Sequence, residues 1–178
     1  EYLRTGDARP LVDVFYHNAV DILSLTGLFN HMAFLLQEPH SELISHAEDT
    51  AALARLFESI GNRTQAAALY QKAVNKNLPE PLFWDALYRY SFLLKRASLW
   101  EEALALWEQA ANANKLYAFE ELAKYYEHHA KDLEAAFNWT ERALTKLEEQ
   151  SLPSLQYQAW KVSLDHRLNR IKRKSSLK

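Results

Sequence analysis

Small residues recur along this chain at a spacing that suits paired helices, and this recurrence constrains the fold more than any other feature. Three segments each carry a small residue, a second one 12 or 13 positions later and a third 7 positions after that: Ala54, Ala66 and Ala73, then Ser91, Ala103 and Ala110, then Ala123, Ala136 and Ala143. The second residues are 37 and then 33 positions apart. A period of about 34 residues is typical of stacked helix-turn-helix repeats. The pattern therefore predicts an all-α, antiparallel helix-pair array of about three repeats.

The same pattern divides most of the chain into helix pairs joined by short turns. The predicted pairs are 47–60 with 64–76, 82–96 with 100–113, and 117–129 with 132–147. Gly61-Asn62 marks the turn of the first pair, and Ser98 and Asp132 are the predicted N-caps in the other two. A last helix, to about residue 172, is predicted to cap the array through an apolar side formed by Leu155, Ala159, Val162, Leu164, Leu168 and Ile171.

Composition agrees with a helical fold. The 178 residues include three glycines and five prolines, and runs of Val, Ile and Thr that would indicate strands are missing. The absence of cysteine excludes disulfides and Cys-ligated zinc. No window reaches the ~18 uninterrupted apolar residues of a membrane span. We therefore expect a cytoplasmic location and no membrane partner.

Residues 1–38 differ from the repeats that follow them. Pro10 can open a helix, and a long apolar stretch runs from Val12 to Leu36. From Ile22 onward its apolar residues cover more than one face, and a helix that is apolar nearly all round has to be buried. We expect this N-terminal long helix to be the remnant of a domain mostly outside this chain, with the repeat domain at 39–178. Because the chain starts with Glu1, we also expect it to be part of a longer protein.

The three segments resemble tetratricopeptide repeats over residues 47–147. The matching positions are Leu53-Ala54, Phe57, Gly61, Ala66, Tyr70 and Ala73; Leu87, Tyr90-Ser91, Leu94, Ala103, Trp107 and Ala110; and Phe119, Leu122-Ala123, Tyr126, Ala136, Thr140 and Ala143. The usual Trp-Leu-Gly start is missing, and the third copy has one extra residue in its turn. The resemblance implies a scaffold that binds a protein or peptide segment.

A second resemblance begins near the N-terminus. The segments Tyr2–Asp7, His17-Asn18 and Asp21–Leu25 resemble the end of the YprB-like, ribonuclease-H-like 3′–5′ exonucleases, which are similar to the DnaQ group. The late segments Leu122–His129 and Asp165–Lys174 resemble the helical tail of that family. The resemblance implies that Asp21 binds a catalytic Mg²⁺ or Mn²⁺ ion in the parent protein. It also implies that His17 positions or deprotonates the attacking water there.

The nuclease chemistry is not expected from this chain alone. Two-metal phosphodiester cleavage needs several carboxylates around both ions. The family's Asp-x-Glu motif on a strand is not found here, so we expect no cofactor and no activity for the isolated chain. The main hypothesis is a non-catalytic interaction domain in the C-terminal region of a metal-dependent 3′–5′ exonuclease. The alternative is a free-standing tetratricopeptide-like adaptor that binds a protein or peptide.

The first helix of each pair is predicted to line the binding groove of such an array. Arg55, Tyr88, Phe92 and Lys95 fall on these helices and combine two aromatic rings with two cations. Aromatic and cationic side chains are frequent anchors of binding surfaces. We expect them to hold a protein or peptide segment, or the adjoining nuclease domain. The alternative is that Tyr88 and Phe92 pack against the neighbouring pair.

The C-terminal end of the chain is strongly basic. Residues 161–178 contain seven Lys or Arg and one Asp, for a net charge of +6, whereas the rest of the chain carries −8. A third hypothesis is that this tail binds nucleic acid through Arg167, Arg170, Lys172, Arg173 and Lys174. The alternative is a solvated helix end, where cations are favourable. The adjacent His128 and His129 face different sides of a helix and are not expected to chelate a metal together, and the tryptophans are expected at packing positions.

Overall fold

The computed structural model describes residues 2–176, apart from the side chains at positions 2, 3 and 10. Lys178, one of the cations counted in the basic tail, lies outside the described residues. The described chain is helical and contains no strand, so the predicted all-α class is confirmed. The α-helices are α1 (Tyr2–Thr5), α2 (Val12–Gln37), α3 (Ala47–Ser59), α4 (Arg63–Val74), α5 (Glu80–Arg96), α6 (Trp100–Asn112), α7 (Leu116–Tyr125), α8 (Leu133–Glu149) and α9 (Ser154–Ser176).

Two short segments complete the helical path. A 3-10 turn at Arg9–Leu11 leads into α2, and a π-helical turn at Tyr126–Ala130 extends α7. With that turn included, all six predicted paired helices agree with the structure to within two residues at each end. The chain divides into two compact units, 1–82 and 83–178. The domain boundary predicted after residue 38 stays a prediction.

In the first unit, α4 packs on α3. Gly61 has a φ of 83°, a left-handed conformation that favours glycine, and it ends α3 at the predicted turn. Asn62 then caps α4, because its side chain accepts a hydrogen bond from the Gln65 backbone N–H at 3.2 Å. The side chains with no exposed surface in this pair include Ala54, Ala66, Leu69, Tyr70 and Ala73. The three predicted small residues of this copy thus lie where the two helices meet.

Helix α2 is the exception in the first unit, because none of its residues is buried. It exposes a nearly continuous apolar surface that includes Phe15, Leu23, Leu25 and Phe29. By length and composition alone, α2 could cross a membrane, since its mean hydropathy reaches 1.5. The same helix does not meet the stricter criterion of uninterrupted apolar residues that was applied to the sequence, because Asp21 and other polar residues interrupt it. Large exposed apolar surface of this kind marks a helix that needs a partner.

The second unit stacks its helices in chain order, with α6 on α7, α7 on α8 and α8 on α9. Its fully buried large side chains include Leu87, Trp107, Phe119, Leu122, Leu147, Leu164 and Ile171. The small residues predicted for the second and third copies, Ser91, Ala103, Ala110, Ala123, Ala136 and Ala143, also have no exposed surface. Short side chains at these contacts let neighbouring helix axes approach closely.

Two details of the second unit differ from the sequence prediction. Ser98 does not cap α6; it adopts a left-handed φ of 60° at the end of α5, so the N-cap position falls to Leu99. Asp132 does cap α8, with its Oδ1 accepting from the Ala135 backbone N–H at 2.9 Å. The predicted apolar side of α9 is wrong in part, because Leu155 and Val162 are 85% and 65% exposed.

The buried stripe of α9 consists of Leu164, Arg167 and Ile171, which are three and four residues apart. At 3.6 residues per turn, such positions share one face of a helix. Val162 lies two residues before Leu164 and therefore points to nearly the opposite side. A charged residue thus occupies a packing position that an apolar pattern does not detect.

Candidate functional site

The π-helical turn at Tyr126–Ala130 is the structural origin of the site. The first two small positions of the third copy are 13 residues apart, whereas those of the other copies are 12 apart. The extra residue is taken up by this turn, which ends at Lys131 with a left-handed φ of 58°. Turns of this kind often occur at functional sites. Here the turn includes Glu127, whose side chain is fully buried.

Glu127 holds three cations of α9, and we call these four residues the Glu127 cluster. Arg167 Nη1 donates to Glu127 at 2.9 Å, Arg170 donates through Nε at 2.8 Å and Nη2 at 2.7 Å, and Lys174 Nζ donates at 2.7 Å. Burial by itself would raise the pKa of Glu127, but the hydrogen bonds from Arg170 and Lys174 outweigh it and lower the pKa to about 2. Glu127 is therefore ionised at neutral pH.

The cluster changes how the basic tail has to be interpreted. Three of the five cations predicted to bind nucleic acid, Arg167, Arg170 and Lys174, are paired with Glu127. Lys172 lies 5.5 Å from the Phe137 ring, and Arg173 is exposed. The alternative, in which the basic tail is only a solvated helix end, therefore does not explain these three residues, because their ion pairs with Glu127 are part of the fold. The nucleic-acid role of the five cations stays a prediction.

A second ion-pair group, the Glu121 cluster, comprises Glu121, Lys95 and Lys124. Glu121 is only 3% exposed and accepts hydrogen bonds from Lys95 and, at 2.8 Å, from Lys124. Lys124 also pairs with Glu120 at 3.0 Å, and Arg167 lies 3.7 Å from the same carboxylate. Glu120 therefore links the two clusters.

An aromatic patch formed by Tyr88, Phe92 and Tyr117 adjoins the Glu121 cluster. The ring centroids of Tyr88 and Phe92 are 4.7 Å apart, and those of Tyr88 and Tyr117 are 4.8 Å apart in an edge-on arrangement. Lys95 Nζ lies 5.4 Å from the Phe92 ring. Tyr88 is 41% exposed and Phe92 is half-buried, so the condition that would exclude a groove, full burial of both rings, is not met.

The four predicted groove residues belong to different units. Arg55 is an exposed residue of the first unit, whereas Tyr88, Phe92 and Lys95 belong to the second unit. The Tyr117 hydroxyl is buried and has no hydrogen-bond partner among the described residues. Burial raises the pKa of Tyr117, and Tyr88 beside it adds to this rise. Tyr117 therefore stays neutral at physiological pH.

A cavity of about 310 Å³, which we call the basic cavity, lies between the two clusters. Its cationic walls come from Lys95, Lys124, Arg167 and Arg170, and its aromatic walls from Trp100, Trp107, Tyr125 and His129. His129 lies 3.9 Å from the Trp100 ring and stacks on Tyr125 at 5.8 Å.

Glu121 and His128 complete the lining of the basic cavity. Burial lowers the pKa of His128, and the cations of the Glu127 cluster lower it further, although Glu127 itself acts in the opposite direction. His128 is therefore predominantly neutral at pH 7. The sequence pattern assigns no chemistry to His128 and His129 and does not indicate a role for Glu127 and Glu121. Two signals for Glu127 were present: the extra residue of the third copy, and the family resemblance of Leu122–His129 and Asp165–Lys174, which contain Glu127 and its three cations.

His17 and Asp21 lie four residues apart on α2, and both side chains are exposed. Within residues 2–176, no group of three or more His, Cys, Asp or Glu side chains is arranged to hold a metal ion. One carboxylate and one imidazole do not form a two-metal centre by themselves. The residues described here therefore do not fit the metal site that the family resemblance implies, and their roles stay predictions for the parent protein.

Comparison with known proteins gives one relative. The chain is 30% identical over 149 residues to the uncharacterized protein YprB of Bacillus subtilis (strain 168). No family model and no solved structure matches the chain. The match spans 81% of this chain but only 35% of YprB, so the chain covers about a third of that protein's length. The chain is therefore similar to one region of YprB.

Proposed function

We propose that this chain is a non-catalytic, tetratricopeptide-like interaction domain in the C-terminal region of a divalent-metal-dependent 3′–5′ exonuclease. The observation that carries the interaction role is the aromatic patch, in which Tyr88 is exposed on α5 and contacts Tyr117 of α7. Large aromatic rings held in place by neighbours and left open to solvent are favourable binding anchors. Lys95 beside Phe92 adds a cation to the same surface.

The link to a nuclease is supported by the N-terminal segment. His17 and Asp21 follow the last motif of the YprB-like exonucleases, and this chain is similar to a region of YprB. Helix α2, which carries both residues, exposes its large apolar side chains and requires a cover. In this proposal the adjoining nuclease domain provides that cover. A free-standing adaptor is the alternative, favoured by the open aromatic patch alone.

The nuclease proposal predicts a clear division of activity. The purified 178-residue chain is expected to leave single-stranded DNA and RNA intact with Mg²⁺ or Mn²⁺, whereas the full-length protein degrades one of them from the 3′ end. In the full-length protein, Asp21→Ala is expected to lower the rate at least about tenfold, because a lost metal ligand removes electrostatic stabilisation of the transition state. The rate is measured as release of labelled nucleotides over time.

Asp13→Ala, another exposed acidic position of α2, is the matched control and is expected to keep the wild-type rate. Cleavage by the isolated chain would contradict the non-catalytic role. Full activity of Asp21→Ala would contradict the metal-ligand role.

The interaction role predicts a contact at the aromatic patch. A photo-reactive phenylalanine analogue placed at position 88 of the full-length protein is expected to cross-link on illumination, because the native Tyr88 ring lies at a binding surface. The control is the same analogue at Leu99, which is 46% exposed in the turn before α6. At this position no cross-link is expected. Mass spectrometry identifies the coupled peptide. A peptide from the same protein indicates the nuclease domain, and one from another protein indicates an adaptor; no cross-link at position 88 would contradict both.

A further inference from the structure

The basic cavity has the size and charge of a site for a small anion-bearing ligand. Its volume of about 310 Å³ falls at the lower end of the range usual for small-molecule sites. Arg167 and Arg170 of the Glu127 cluster line the cavity, and across the whole cluster three cations face a single carboxylate, which leaves two positive charges in excess beside the cavity. The Glu121 cluster together with Glu120 adds none, because two lysines face two carboxylates. A partly buried excess of this sign favours an anion of about two charges.

Hydrogen-bond donors on the cavity wall point in the same direction. Arg170 and Lys124 line the cavity and are 31% and 33% exposed, so a ligand can reach their N–H groups. Neither side chain can itself accept a hydrogen bond. The indole N–H of Trp107 and the Nε–H of Arg167 also have no acceptor among the described residues, but both atoms are buried. The donors within reach therefore favour a ligand that is rich in acceptors.

The aromatic wall narrows the class of ligand further. Trp100 and Tyr125 are half-buried and flank His129, which stacks on Tyr125. Rings held this way can stack with a nucleobase, whose contribution is about 1–3 kcal/mol per base. An acidic peptide would use the cations but not the rings.

From these three observations we propose that the basic cavity binds a nucleotide. Its phosphate lies among Arg167, Arg170 and Lys124, and its base lies against Trp100 and Tyr125. The phosphate oxygens accept hydrogen bonds from the exposed donors of Arg170 and Lys124, and the two negative charges of the phosphate match the excess positive charge of the Glu127 cluster. The shared chemistry is a terminal phosphate next to a base, from a free mononucleotide or from the end of a single strand. This inference does not depend on the nuclease proposal, because every residue involved lies in the second unit.

The test is calorimetric titration of the 178-residue chain with five probes: adenosine 5′-monophosphate, adenosine, inorganic phosphate, a 5′-phosphorylated oligothymidine and hexaglutamate. We expect the nucleotide to bind more tightly than inorganic phosphate, and adenosine to bind least. Trp100→Ala should weaken nucleotide binding about tenfold, within the range of base stacking, and leave phosphate binding unchanged. Arg170→Gln should weaken both.

Trp160→Ala, a half-buried tryptophan outside the cavity, and Lys146→Gln, a lysine paired elsewhere, are the matched controls. Thermal unfolding followed by circular dichroism shows whether each variant is folded, and Trp100→Ala stands as the independent variant if Arg170→Gln unfolds. Tighter binding of the oligonucleotide than of the mononucleotide assigns a strand end, and the reverse assigns a free nucleotide. Absence of nucleotide binding, equal binding of hexaglutamate, or an unchanged affinity in Trp100→Ala would overturn the proposal.

Discussion

Replacing Glu127 with glutamine is expected to destabilise the second unit by about 3 kcal/mol, since removing one partner of a buried ion pair leaves the other charges uncompensated. Three cations of α9 would lose the Glu127 carboxylate at once, although Arg167 keeps Glu120 at 3.7 Å. The estimate is at the lower end of the usual range because Arg170 and Lys174 are 31% and 44% exposed and keep part of their hydration. All five tryptophans lie in the second unit, so their fluorescence during urea unfolding reports this unit.

Glu141→Gln is the matched control, because Glu141 is an exposed residue in the middle of α8. Its effect is expected to stay within about 0.5 kcal/mol, as for most surface substitutions. If Glu127→Gln unfolds at the same urea concentration as the wild type, the cluster contributes nothing to the fold.

Acid is expected to remove the stabilisation by the Glu127 cluster in the wild-type protein, without a mutation. The pKa of Glu127 in the folded protein is about 2, below its usual value of 4.5. A group with a lowered folded pKa contributes stability that is complete above the unfolded pKa and is lost as the pH falls through the folded pKa. The loss between about pH 5 and pH 2 is roughly 3 kcal/mol for this one residue. In Glu127→Gln this part of the acid dependence should be missing; identical pH profiles would contradict the assignment.

Replacing Ala103 with leucine is expected to cost about 1–3 kcal/mol by overpacking the second unit. Ala103 has no exposed surface on α6, one turn before the fully buried Trp107. Ala105→Leu is the matched control, since it makes the same substitution two residues later at an exposed position of the same helix. The free energy of unfolding is measured by urea titration. Equal values for the two variants would show that Ala103 is not at a close helix contact.

The helix pairs follow from the sequence because the information that specifies them is short-range. Each contact face is identified by three small residues: two that are 7 positions apart on the second helix of a pair, and one that lies 12 or 13 positions earlier on the first helix. No knowledge of the rest of the fold is needed to find them. All nine such positions are without exposed surface. Asp132 at the start of α8 was predicted for the same reason, since capping involves only the next few residues. The prediction that Ser98 is an N-cap was wrong. Ser98 instead adopts a left-handed conformation, and the residue types found at left-handed positions overlap with those found at N-caps.

The sequence by itself therefore determined the all-α class, the helix boundaries and the buried small residues, all of which depend on periodicity within one or two helices. Only the tertiary structure decided the site. Glu127 meets its cations across 40 to 47 residues, and it does so because the π-helical turn buries it while the rotation of α9 brings Arg167 inward. In the sequence these residues form an acidic position and a basic tail with separate apparent roles. Their charges become one cluster beside a cavity because burial lowers the local dielectric constant and makes pairing necessary.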